Sequence, residues 1–127
     1  MTVSHEAAFT AGGAGSGERY AWLFMRVSGV LLLAVAVGHL LYMHLVVGVD
    51  NINYDWVLAR WANPLWRLYD WLLLGFALAH GTNGVRTVID DYVAPGMRNV
   101  GAKWLLYVVG VGFFLMGSQI IVTAPVP

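Results

Sequence analysis

The sequence predicts an all-α integral membrane protein with three transmembrane helices and a short interfacial helix. Of its 127 residues, 59% are hydrophobic and only 11% are charged, and the mean hydropathy is +0.67. A soluble core of this size does not require so little charge. Long uncharged stretches, separated by short polar connectors, carry the same message. The seven basic and seven acidic residues cancel, so no net field recruits nucleic acid. With no cysteine, this chain forms no disulfide and holds no iron–sulfur cluster through thiolates.

Residues 1–18 read as a flexible tail, because Gly12, Gly13, Gly15 and Gly17 lie among alanines and serines with little to bury. The tail lacks the cationic start and clean cleavage site of a signal peptide. The anchor domain then occupies 19–127. Residues 27–49 form the first span, 23 residues without a formal charge against the roughly 20 that cross a hydrocarbon core. In the connector, Tyr54, Val57, Leu58 and Trp61 follow helical spacing with Asp55 and Arg60 off the stripe, which predicts a short helix on the membrane surface.

Asn63 as N-cap and Pro64 at the first helical position open the second span, residues 65–85. Arg67 and Asp70 interrupt its start and can pair at i,i+3 or snorkel to the interface. Nothing breaks this helix before Pro95-Gly96, so it is expected to run from 64 to about 93. Residues 104–124 form the third span, where Gly110, Gly112 and Gly117 suit close helix contact. Counting basic residues near the span ends puts Arg19, Arg26, Arg86, Arg98 and Lys103 inside, and Arg60 and Arg67 outside. The expected topology therefore has a cytoplasmic N-terminus and an external C-terminus in a bacterial plasma membrane.

Most of the chemistry lies in His80-Gly81-Thr82-Asn83-Gly84-Val85-Arg86 and the Asp91-Tyr92 that follows. An ionisable group in lipid is costly, which makes His80 a functional candidate. At 100° per residue, His80, Gly84 and Asp91 share one helical face. Imidazole ligates haem iron, and glycines let a flat macrocycle approach a helix. The plainer reading makes Gly81 and Gly84 packing residues and His80 a satisfied interior histidine. A phenol can donate to a carbonyl oxygen and a neighbouring acid can accept a proton, so Tyr92 and Asp91 suit a quinone head-group. Both residue types are also ordinary at a membrane boundary. His39 and His44 on the first span point about 140° apart; His44, near the outer interface, is a weaker candidate for a second haem, and for His39 a packing or hydrogen-bonding role is the simpler account.

His80, three residues, Gly84, six residues, then Asp91-Tyr92 resembles the haem-and-quinone motif of the small membrane-anchor subunits of succinate dehydrogenase, respiratory complex II. The three-helix plan and Arg26-Val27-Ser28-Gly29 at the head of the first helix fit the same family. The larger, cytochrome b556-like anchor typically reads His-x-x-x-Gly-x-Arg-His; here Thr87 follows Arg86, and the terminal Asp91-Tyr92 favours the smaller, D-type anchor.

The resemblance implies that His80 is one axial ligand of a haem b, metal-bound through its imidazole, with Gly84 beside the ring and Arg86 in reach of a propionate. The second axial histidine would come from a sister cytochrome b anchor subunit. It implies Tyr92 as hydrogen-bond donor to a quinone and Asp91 as its neighbouring acid, with Arg26 and Ser28 as interface residues only. Iron-sulfur and flavoprotein subunits would carry the dicarboxylate chemistry and pass electrons to quinone at the membrane. This chain would bind and orient rather than catalyse. Two other functions stay open at this stage: a haem-free structural anchor, and a small proton-coupled transporter subunit in which His80 and Asp91 relay protons.

Overall fold

The computed structural model describes residues 16–125. All regular structure among them is helical. Helix α1 spans Ser16–Leu41 and continues through a π turn, Tyr42–Val47. Most of the expected flexible tail, His5 included, lies outside the described residues, but its last residues already belong to α1. Gly48 then ends the run at φ 79°, a left-handed conformation that suits glycine. A 3₁₀ turn, Val49–Asn51, leads to α2, Tyr54–Trp61.

Helix α3 spans Pro64–Tyr92 without interruption, and α4 spans Met97–Thr123. The boundaries of α2 and α3 follow local capping chemistry. Asn53 accepts from Trp56 N–H, and Asn63 accepts from Leu65 N–H with Pro64 behind it. Each cap satisfies an amide that the first helical turn leaves without a partner.

The order of packing is set by α3, which lies against both α1 and α4. Contact with α4 depends on missing side chains. A Cβ at Gly110 would stand 2.8 Å from Thr82 Oγ1, and one at Gly117 would stand 2.6 Å from a Leu74 methyl. Gly112, expected to behave likewise, faces open space. Trp71 Nε1 donates to Ser118 Oγ at 2.9 Å across the same interface, and Tyr69 Oη donates to the Val35 carbonyl of α1 at 2.6 Å.

Two segments, Arg19–Val47 and Met97–Thr123, are long and apolar enough to cross a membrane by length and composition. The predicted middle span, on α3, falls short of that standard because Arg67, Asp70, His80 and Asn83 dilute its hydropathy. Arg67, Asp70 and His80 turn toward neighbouring elements, whereas Asn83 bonds Arg86 on the same helix. The apolar stripe of α2, Tyr54, Val57, Leu58 and Trp61, borders a cleft of about 390 Å³ whose other wall is the end of α4.

Candidate functional site

His80 lies on the side of α3 that faces α1. Its Nδ1 is 2.8 Å from Ser28 Oγ, and a Cβ at Gly29 would stand 3.4 Å from its Cε1. One edge of the imidazole therefore rests on α1 at the Ser28-Gly29 step. The other ring nitrogen, Nε2, has no hydrogen-bond partner among the described residues and is not sealed inside the chain. One nitrogen is held and the other is open.

Gly84 lies one turn further along the α1-facing side. The place of its missing side chain is filled by the end of Met25, at 3.7 Å, whereas Gly81 faces open space. Beyond them a cleft of about 290 Å³ opens between α1 and α3, lined by Trp22, Met25, Arg26, Asn83, Arg86 and Thr87. Arg26 stacks over the Trp22 ring at 4.0 Å. Arg86 donates through Nε to Asn83 Oδ1 at 3.1 Å and lies 3.9 Å from Asp90 Oδ2. Two guanidinium groups bordering one cleft suit a carboxylate-bearing or carbonyl-bearing ligand.

The end of α3 is fastened by residues that sequence reasoning missed. Asn99, one of the few buried residues, donates to Asp90 Oδ1 and to the Val93 carbonyl, both at 3.1 Å. Lys103 pairs with Asp90. The Lys103 hydrogen bond, followed by that from Asn99, holds the Asp90 carboxyl below the usual carboxylate range. This stitching fixes the corner between α3 and α4 and leaves the next two residues free. Asp91 is exposed and Tyr92 is 85% exposed, and no hydrogen bond or ion pair engages either side chain among the described residues. His80 and Gly84 thus share the α1-facing side, and Asp91 follows two turns beyond Gly84 on the same unbroken helix, exposed. With α3 unbroken, Tyr92 is about 18 Å along the axis from His80.

A second polar cluster, also missed, sits near the start of α3. Asp70 pairs with Arg60 and accepts from Trp61 Nε1 at 2.7 Å, so α2 is bound to α3 through two adjacent side chains. The Arg60 side chain is only 6% exposed and lies 5.0 Å from the Trp66 ring centroid. His39 stands 3.7 Å from Asp70 and stacks on Tyr69. Arg67 and Asp70, whose spacing also allowed a pair between them, take different partners. Arg67 instead donates to the Val122 and Ala124 carbonyls, at 3.2 and 3.1 Å, where α4 ends and its last carbonyls lack intrahelical partners. His44 is exposed, with Nδ1 on the Leu40 carbonyl at 2.9 Å.

No group of three or more His, Cys, Asp or Glu among the described residues could hold a metal ion alone. A haem shared between subunits asks for less: one imidazole with a free nitrogen. His80 has that chemistry, and the two-arginine cleft lies on the same side of α3.

Residues 14–118 match the family described as succinate dehydrogenase/fumarate reductase transmembrane subunit. The chain is 35% identical over 86 residues to the succinate dehydrogenase hydrophobic membrane anchor subunit of Archaeoglobus fulgidus, covering 67% of this chain and 71% of that one. It is 26% identical over 102 residues to succinate dehydrogenase 2 membrane subunit SdhC of Mycobacterium tuberculosis, covering 80% and 73%. Together with the apolar helices, these likenesses make the protein a membrane subunit: the chain belongs to the succinate dehydrogenase/fumarate reductase transmembrane subunit family.

Proposed function

We propose that this chain is a D-type anchor of a succinate:quinone oxidoreductase, holding one half of a haem b site and part of a quinone site. The observation that carries the reading is His80, an imidazole clamped to α1 by one nitrogen and unpartnered at the other. Nε2 is the atom that would ligate iron, with a sister anchor subunit supplying another ligand. Arg86, bordering the same cleft as Arg26, would receive a propionate. When bound, haem b supplies a one-electron centre within the membrane.

Tyr92 is the donor for a quinone carbonyl, and Asp91 beside it accepts or returns a proton as the quinone changes oxidation state. Their exposure fits a pocket completed by other subunits. Iron-sulfur and flavoprotein subunits would dock at that end, on the cytoplasmic side of a bacterial plasma membrane, in keeping with Arg86, Arg98 and Lys103 clustering there. In this topology α3 is the middle of three spans, its polar groups screened by α1, α4 and the sister subunit.

Absorbance of the purified complex tests the reading. His80→Ala is expected to abolish the low-spin b-type band while the subunits remain assembled, and an unchanged band would sink haem ligation. Purification as a homo-oligomer without flavoprotein would support a transporter subunit instead.

A further inference from the structure

We propose that Ser28 is the positioning residue of His80: its hydroxyl holds the Nδ1 edge of the ring on α1, which leaves Nε2 facing outward for iron, and accepts the Nδ1 proton when Nε2 is ligated. This rests on the haem-ligand reading above and adds a second residue, on a different helix, to the ligand's control. Ser28 is 2% exposed, less than any other described residue, so a hydroxyl has been taken out of lipid and out of water together. A buried hydroxyl needs a partner.

The choice of partner is informative. Two threonine hydroxyls turn back on their own helix: Thr87 donates to Asn83 O and Thr123 to Gln119 O, each four residues earlier. Ser28 reaches across to a ring nitrogen 52 residues away. The same arrangement recurs between α3 and α4, where Trp71 Nε1 lies 2.9 Å from Ser118 Oγ. There the direction is unambiguous, because an indole N–H only donates and the serine oxygen must accept.

At His80 the direction is set by ligation. An imidazole that gives its Nε2 lone pair to iron carries its proton on Nδ1, and Ser28 Oγ is the acceptor 2.8 Å away. Gly29 reinforces the choice. With Cε1 lying where a Cβ at 29 would be only 3.4 Å off, the Nδ1–Cε1 edge is seated on α1, and flipping the ring would exchange Nδ1 for a carbon. A hydrogen bond accepted from Nδ1–H also makes the imidazole a stronger donor to the metal, which favours the ferric state.

The test uses the intact complex and reads the haem potential and its low-spin electron paramagnetic resonance signal. Ser28→Ala is expected to keep a haem band, raise the reduction potential and weaken haem retention by about 10–100-fold. Ser28→Thr, which keeps the hydroxyl, is expected to restore wild-type values. A Ser28→Ala complex with wild-type potential, signal and retention would overturn the proposal, while loss of the band in His80→Ala leaves ligation standing. An unchanged band in His80→Ala overturns both. Should Ser28→Ala not assemble, Ser28→Cys offers a poorer acceptor of similar size. An intermediate potential then supports the assignment, and a wild-type potential overturns it.

Discussion

Asp70 and Asp91 stand on one helix, near its two ends, in opposite circumstances. Asp70 is surrounded by its own chain: Arg60 and Trp61 of α2 both bind it, and His39 of α1 lies beside it. Asp91 is exposed and unengaged among the described residues, as is Tyr92 next to it. Even its neighbour Asp90 is taken, by Lys103 and Asn99. A charge used to hold the fold meets its partner within the chain, because an unpaired charge out of water costs several kcal/mol. On the function proposed above, the open Asp91-Tyr92 pair is what other subunits and a quinone would meet.

Breaking the Asp70 end should produce the largest effect. Removing one partner of a largely buried ion pair strands the other, and Asp70→Ala is expected to cost about 3–5 kcal/mol. Thermal unfolding of the complex in detergent checks this, and wild-type stability would remove the contrast between the two ends. Next comes packing. Gly117→Val drives a methyl-bearing carbon into Leu74 and is expected to cost about 1–3 kcal/mol, whereas Gly112→Val, in open space, should be close to neutral in the isolated subunit. Comparable losses at both positions would contradict the packing of α4 on α3.

At the open end the expected effects move from stability to function. Tyr92→Phe should leave unfolding unchanged and raise the quinone KM by up to about 10-fold, the worth of one hydrogen bond of about 0.5–1.5 kcal/mol. Retained quinone reductase kinetics would count against the hydroxyl contact. The smallest effect concerns pH. Because Asp90's folded-state pKa is lowered from 3.8, its stabilising contribution is complete above that value and fades as pH falls through the lower folded pKa. Asp90→Asn should flatten this acid limb of the unfolding profile without changing neutral-pH spectra.

How much was legible follows the distance over which each interaction acts. Asn63-Pro64 announced the start of α3 because a cap and a fixed φ are decided within a few residues. The length of α3 followed from the absence of any breaker before Pro95. His80 stood out because its chemistry is expensive in lipid wherever it points. Its clamp was not legible, since Ser28 is 52 residues away and joins it only through the α1–α3 packing. The partners of Arg67 and Asp70 were not legible for a related reason: i,i+3 spacing left pairing or snorkelling open, and the choice is made by Arg60 arriving from α2 and by the carbonyls at the end of α4 that draw Arg67. Composition marked Gly110, Gly112 and Gly117 alike, although only two of the three face α3.

The grip of Arg67 on the Val122 and Ala124 carbonyls has a practical consequence for labelling. It brings the beginning of α3 and the end of α4 together at one end of the bundle, beside α2, while the turn at Pro95-Gly96 lies at the other. A fluorophore attached at Pro125 would emerge on the same side as the segment between α1 and α3. The two could be crosslinked to each other, and neither would obstruct access to Tyr92.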